Sequence, residues 1–377
     1  MKKRLLLFIL VLGVCLFTSC GNFVKTNIYF SAAESAFDSG KYEDAIKYYD
    51  KVIEADSGNA MAYLGKGLAL DALGKYEEAL EFFDKAIEIN KDLAKAYNAK
   101  GTTLASLERY EESLENFKKA AELKPKNSAY QNDVAYGLNN LGRFEEAIQY
   151  AEKALKLNPR SGVAYSNKGF ALDALGKLDE AIECYDKAIE LSPTYTNAYY
   201  NKSIAVFKMG KTEEAIELLD KVLEIDPDDL DAITSKGYCL NELGKYEKAI
   251  ECFDTAIEKY PKDPYPYVCK ATSLYYLGKY DNALEECNKA IKLEYTFPDS
   301  YIWKAKILVE KGDIEEARKS CDEFLAIAED ASVYDMKGQI YLHEYNYPEA
   351  IKLFDKAIEV DPSYEDSYIN KIYCLYL

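Results

Sequence analysis

The chain has 377 residues, 49% hydrophobic and 30% charged, a balance too apolar for a disordered segment and sufficient for packed cores. Its formal net charge of -18 argues against nucleic acid as a partner, because a phosphate backbone asks for a basic face. Basic or neutral proteins fit such a body, whereas anionic lipid surfaces repel it.

Residues 1–19 have the layout of a signal peptide. Lys2, Lys3 and Arg4 precede a largely apolar run from Leu5 to Phe17, and the small residues Thr18 and Ser19 lead to Cys20. The run is too short to span a bilayer comfortably and suits export. The stretch Phe17-Thr18-Ser19-Cys20 resembles a bacterial lipobox, which implies lipidation of Cys20 and a cell-membrane lipoprotein facing outside the cytoplasm. Phe17 departs from that pattern, where a smaller aliphatic residue is usual, so an uncleaved anchor and plain secretion stay open. Residues 20–25 then form a short tether, reaching at most roughly 17 Å.

From Thr26 the chain repeats itself. Windows begin at Thr26, Ala60, Ala94, Ser128, Gly162, Thr196, Leu230, Pro264, Pro298 and Ala331, every step being 34 residues except the ninth, which is 33. The repeats are therefore 26–59, 60–93, 94–127, 128–161, 162–195, 196–229, 230–263, 264–297, 298–330 and 331–364, followed by a half-repeat over 365–377. Each window predicts two amphipathic helices with a periodicity of about 3.6 residues. One small column runs Ala33, Gly67, Gly101, Ala135, Gly169, Ser203, Gly237, Ala271, Ala305 and Gly338, and a second runs from Ala45 to Ala350. Tyrosines such as Tyr63 and Tyr97 open first helices, and Tyr42, Tyr76 and Tyr110 open second helices, so large faces small. Glycines from Gly40 to Gly312 separate the two helices of a pair, and prolines such as Pro125, Pro159 and Pro227 separate one pair from the next.

Cys184, Cys239, Cys252, Cys269, Cys287, Cys321 and Cys374 fall at columns filled elsewhere by apolar or aromatic residues, which reads as small buried hydrophobes; metal or redox use is the alternative. Regularity weakens from Cys321 to Tyr347, where Phe324 replaces a small residue, one position is deleted and His343-Glu344-Tyr345-Asn346 replaces the turn glycine. A local change of twist is expected there. The half-repeat carries Ile369, Ile372, Tyr373, Leu375, Tyr376 and Leu377, a poor polar cap and a possible homo-oligomer or partner joint.

These coordinated columns resemble the tetratricopeptide repeat family. The resemblance implies an all-α fold, a right-handed α-solenoid or superhelix of tandem helix-turn-helix repeats, with first helices lining its concave side. It also implies a non-catalytic scaffold that binds a peptide segment or protein partner in the groove. The groove face reads Asn132, Tyr136, Asn139; Ser166, Phe170, Asp173; Tyr200, Ile204, Phe207; Thr234, Tyr238, Asn241; and Val268, Thr272, Tyr275. Rings there supply apolar contact and amides pair with peptide backbone, or else the same rings complete packing between repeats. Asn167 and Asn201 stand where some family members carry an asparagine ladder, interrupted here by Asp133, Ser235 and others. Lysines recur from Lys66 to Lys371 beside the small column; the readings are an anion-binding row or stems packed along helices with heads on nearby acids.

Nothing in the chain suggests catalysis, a cofactor or a metal. Its one histidine is His343, it has no glycine-rich phosphate loop, and acid pairs such as Glu77-Glu78 fall at helix starts where the dipole explains them.

Overall fold

The computed structural model describes residues 24–376, all helix and connecting turn. Residues 1–23, including the signal segment and Cys20, lie outside the described residues, as does Leu377. Two compact units meet in sequence at Tyr195 and Thr196.

The first unit holds α1 (24–38), α2 (Tyr42–Ala55), α3 (Ala60–Ala72), α4 (Tyr76–Ile89), α5 (Ala94–Ser106), α6 (Tyr110–Leu123), α7 (Ser128–Asn140), α8 (Phe144–Leu157), α9 (Gly162–Ala174) and α10 (Leu178–Leu191). The second holds α11 (Thr196–Lys208), α12 (Thr212–Ile225), α13 (Leu230–Glu242), α14 (Tyr246–Lys259), α15 (Tyr265–Tyr276), α16 (Tyr280–Leu293), α17 (Pro298–Lys311), α18 (Ile314–Leu325), α19 (Ala331–His343), α20 (Tyr347–Val360) and α21 (Glu365–Tyr376). Within each unit, odd-numbered first helices pack on the second helix of their own pair, and that second helix packs on the first helix of the next pair. This serial hairpin stacking is an α-solenoid. No helix among the described residues is long and apolar enough to cross a membrane.

Local chemistry sets the helix ends. Asn59 Oδ1 accepts from the Ala62 amide at 3.1 Å and Asp229 Oδ1 from the Ala232 amide at 2.8 Å, satisfying donors that the first turn leaves orphaned. Second helices lack such caps and carry acidic residues in the first turn instead, as Glu77 and Glu78 do in α4. Between the helices of a pair the chain turns through one left-handed residue. Gly74, at φ 73°, lets Lys75 N–H donate back to the Leu70 carbonyl at 3.0 Å. Glu108 and Tyr345 adopt the same conformation at φ 58° and 61°, so the missing glycine at 345 does not change the turn. A side chain there costs about 1 to 2 kcal/mol.

Inside each hairpin a side chain of the second helix fills the gap opposite the small column. Where that side chain is a ring, the small residue is glycine: an added Cβ at Gly67 would stand 2.5 Å from Phe83, at Gly101 2.7 Å from Phe117, and at Gly237 2.5 Å from Phe253. Where the second helix offers less bulk, the column carries more, as in Ala135 with Ala151, Ala271 with Cys287 and Ala305 with Cys321, all fully buried. Bulk in one column is thus traded against bulk in the other. The first pair follows a different solution: Ala33 takes up the gap, and the Tyr49 ring lies against Gly65 of the next pair. In α18 the bulk moves down the helix, and buried Phe324 meets Tyr301 edge to face at 5.3 Å.

Five of the seven described cysteines are buried, Cys184 and Cys252 are half-buried, and none is disulfide-bonded. Burial pushes the thiols of Cys269, Cys287 and Cys321 up to about 12, which keeps them protonated and unreactive.

The volume rule makes a direct prediction. Gly237→Ala should destabilise the protein by about 1 to 3 kcal/mol through overpacking on Phe253. Adding Phe253→Leu, which approaches the buried pairing of Ser203 with Leu219, should return part of that loss. Thermal unfolding followed by circular dichroism checks both; a double variant less stable than Gly237→Ala alone would contradict the rule.

Candidate functional site

The residues that sequence spacing assigns to the groove separate into three environments. Tyr136, Phe170 and Tyr238 are exposed at 43%, 40% and 47%. Tyr200, Asn201, Phe207, Asn241 and Tyr275 are half-buried on the same series of first helices, as is Asp173. Asn132 and Asn139 are buried.

The difference follows from a polar seam between neighbouring first helices. In the first unit Asn98 Nδ2 donates to Asp133 Oδ2 at 2.7 Å, Asn167 Nδ2 donates to Asn132 Oδ1 at 2.9 Å, and Asn139 Nδ2 donates to the Asn167 carbonyl at 3.0 Å. In the second unit the Tyr200 hydroxyl lies 3.4 Å from Ser235 Oγ, Ser273 Oγ donates to Asn241 Oδ1 at 2.8 Å, and Asn370 Nδ2 donates to Asp335 Oδ1 at 3.1 Å. Asn132, Asn139 and Asn167 are therefore engaged in joining repeats. Residues one repeat apart meet here because successive first helices lie side by side, and a buried amide needs a partner.

Aromatic side chains cover the rest of this face. Phe170 stands edge to face with Phe144 at 6.4 Å, and Tyr238 with Phe207 at 5.7 Å. Tyr275 contacts Trp303 at 5.7 Å and Tyr280 at 5.7 Å. Burial, followed by the charge of a neighbouring glutamate, pushes the Tyr238 phenol up and the Tyr275 phenol up to about 12, so both stay neutral hydroxyls at physiological pH.

In the second unit this face deepens into an open cavity of about 480 Å³ between α13, α15 and α17, with Phe253 of α14 behind it. Sequence spacing reached Tyr238, Asn241, Val268 and Thr272 but did not place Glu242, Tyr246, Tyr265, Tyr276, Asp299 or Trp303 in the groove. Tyr246 and Tyr276 stack at 5.3 Å with 11° between their planes. Their 30-residue separation is a contact between consecutive repeats, and comparing columns within one repeat cannot show it.

The lysine row is tied up in ion pairs. Lys66 reaches Asp50 at 2.5 Å, Lys100 Asp84 at 2.5 Å, Lys168 Glu152 at 2.8 Å, Lys236 Asp220 at 2.6 Å and Lys371 Asp355 at 2.5 Å. In each, a first-helix lysine takes the acid on the preceding second helix, the spacing always being 16 residues. Half-exposed pairs of this kind contribute at most about 1 kcal/mol each, and their heads are not presented as an anion site.

Family models agree with this architecture. Models described as tetratricopeptide repeat match residues 30–94, 94–127 and 331–364, and one described as the N-terminal ARM repeat of tetratricopeptide repeat protein 21 matches residues 135–318. No curated protein matches the chain in sequence. Among solved structures, yeast Tom70 is similar at a TM-score of 0.54 with 16% identity, over 93% of this chain and 95% of that one. A tetratricopeptide repeat protein from Parabacteroides merdae gives 0.51 with 17% identity, over 75% and 98%. YrrB, a TPR protein with an unusual peptide-binding site, is 30% identical over 50% of this chain and 97% of its own, at a TM-score of 0.39. With a 34-residue period, paired helices in series and repeat models matching most of the span from residue 30 to residue 364, the chain belongs to the tetratricopeptide repeat family.

Proposed function

We propose that the protein is a non-catalytic scaffold that binds an extended peptide segment of a partner along its first helices. The observation that carries this is the exposure of Tyr136, Phe170 and Tyr238 on helices whose neighbouring amides join one repeat to the next. Large rings left in water beside such a seam are suited to burial against a partner, and aromatic anchors of this kind dominate binding energies. The acidic body favours a partner of opposite or neutral charge. Residues 1–20 support a place for the scaffold outside the cytoplasm, held to the membrane only by lipid on Cys20.

A second reading, self-association or docking through residues 365–377, rests on α21. Ile369, Ile372, Tyr373 and Tyr376 are 63%, 65%, 54% and 88% exposed. Ile372 also stands at the column that is small in every complete repeat, so the outer face of α21 is shaped unlike the others.

Peptides selected from a random display library on the wild-type protein should lose affinity at least about tenfold when Tyr136→Ala and Phe170→Ala are combined; unchanged affinity would overturn the groove. Metabolic labelling with palmitate should mark the wild-type protein and not Cys20→Ser, and equal labelling of both would remove the anchor. For the second reading, light scattering should show a mass that rises with concentration and reverts to monomer with Ile369→Ser plus Ile372→Ser; a wild-type monomer at micromolar concentration rules it out.

A further inference from the structure

The cavity between α13, α15 and α17 has an unusual lining for a peptide groove. Six of its twelve lining residues are aromatic, two are carboxylates, and none carries a positive charge. The stacked rings of Tyr246 and Tyr276 form one wall, Tyr238 and Tyr265 are exposed at 47% and 45%, and Trp303 belongs to α17. Asp299 and Glu242 provide the acid groups.

We propose that this cavity recognises an organic cation, the ammonium or guanidinium head of a lysine or arginine side chain on the bound peptide. The inference rests on the groove reading above and gives it a chemical preference. Ring faces attract a cation through their quadrupoles, and a carboxylate beside them completes the charge balance, whereas an anionic or purely polar group finds no donor cation here. The molecule holds an internal precedent: the Lys306 ammonium sits 4.6 Å from the centroid of Trp303 and 5.6 Å from that of Tyr275, although Lys306 does not line the cavity. The same indole thus already accepts a cation.

The carboxylates are disposed to accept one as well. Asp299 is exposed at the mouth and makes no hydrogen bond or ion pair, in contrast to the acids of the lysine row. Its carboxyl is nevertheless pushed above the usual range, first by partial desolvation and then by the charge of Asp330, and a cation in the cavity would offset both by favouring the charged carboxylate. This is the reverse of a basic clamp for a partner's carboxylate, and it fits the negative sign of the whole chain.

Trp303 is the chain's single tryptophan and reports on this cavity alone. Its emission is followed while full-length protein in detergent is titrated with capped Gly-Lys-Gly, Gly-Arg-Gly and Gly-norleucine-Gly peptides, and with tetramethylammonium chloride. The lysine or arginine peptide should saturate at a concentration at least about fivefold lower than the norleucine peptide. Asp299→Asn should erase most of that difference, and Tyr276→Leu should weaken binding while Tyr276→Phe retains it, with circular dichroism confirming that each variant is folded. Equal binding of the lysine, arginine and norleucine peptides would overturn the cation preference and leave the groove intact. A response to tetramethylammonium with none to either cationic peptide would overturn the peptide origin of the ligand. The groove itself fails separately, through Tyr136 and Phe170 in the display experiment.

Discussion

Everything in this molecule depends on how closely two helices of one pair approach. A ring such as Phe253 can enter the hairpin only because Gly237 has no side chain, and where the partner shrinks to Cys287 or Ala151 the facing residue grows to alanine. Dense interiors tolerate neither a void nor an extra methylene, so the two columns must be matched pair by pair. That matching fixes the spacing of the hairpin, and with it the position of the next first helix. Burial of one such ring contributes about 1.5 to 3 kcal/mol, which outweighs the lysine-acid pairs along the surface. Those pairs are better understood as recurrent register marks than as a source of stability.

Because the apolar interior is complete within each pair and its neighbour, the first helices have one face left over. Its polar part is consumed in the seam that links Asn98 to Asp133, Asn132 to Asn167, and Asn241 to Ser273. Its aromatic part is not. Exposed rings beside amides engaged between repeats give the surface an apolar character suited to a peptide. In the second unit, two carboxylates join a dense set of rings around one cavity.

The fold was legible in the sequence because each of its determinants is local or falls within one repeat. Glycine at the turn, proline after the second helix and a small residue facing a large one are all visible as columns, and the structure bears them out as caps, stops and ring-into-gap contacts. Two departures were instructive. Tyr345 stands where most pairs carry the turn glycine, yet it adopts the left-handed conformation of those glycines, because the surrounding hydrogen bonds specify that residue's backbone more strongly than its side chain opposes it. Glu108 does the same with no sign in the column pattern beyond the missing glycine.

The sequence by itself determined the repeating hairpin, the small-against-large columns and the sign of the surface, since each rests on periodicity, steric volume or formal charge. Only the tertiary structure decided which groove residues remain free. Asn132 and Asn139 share a face with Tyr136, and Asn167 stands in the ladder column beside Phe170, but a neighbouring helix claims the amides and leaves the rings. It alone assembled Tyr246, Tyr276, Trp303 and Asp299 into one cavity, because contacts between consecutive repeats depend on how one hairpin is stacked on the next, and that angle is written in no single repeat.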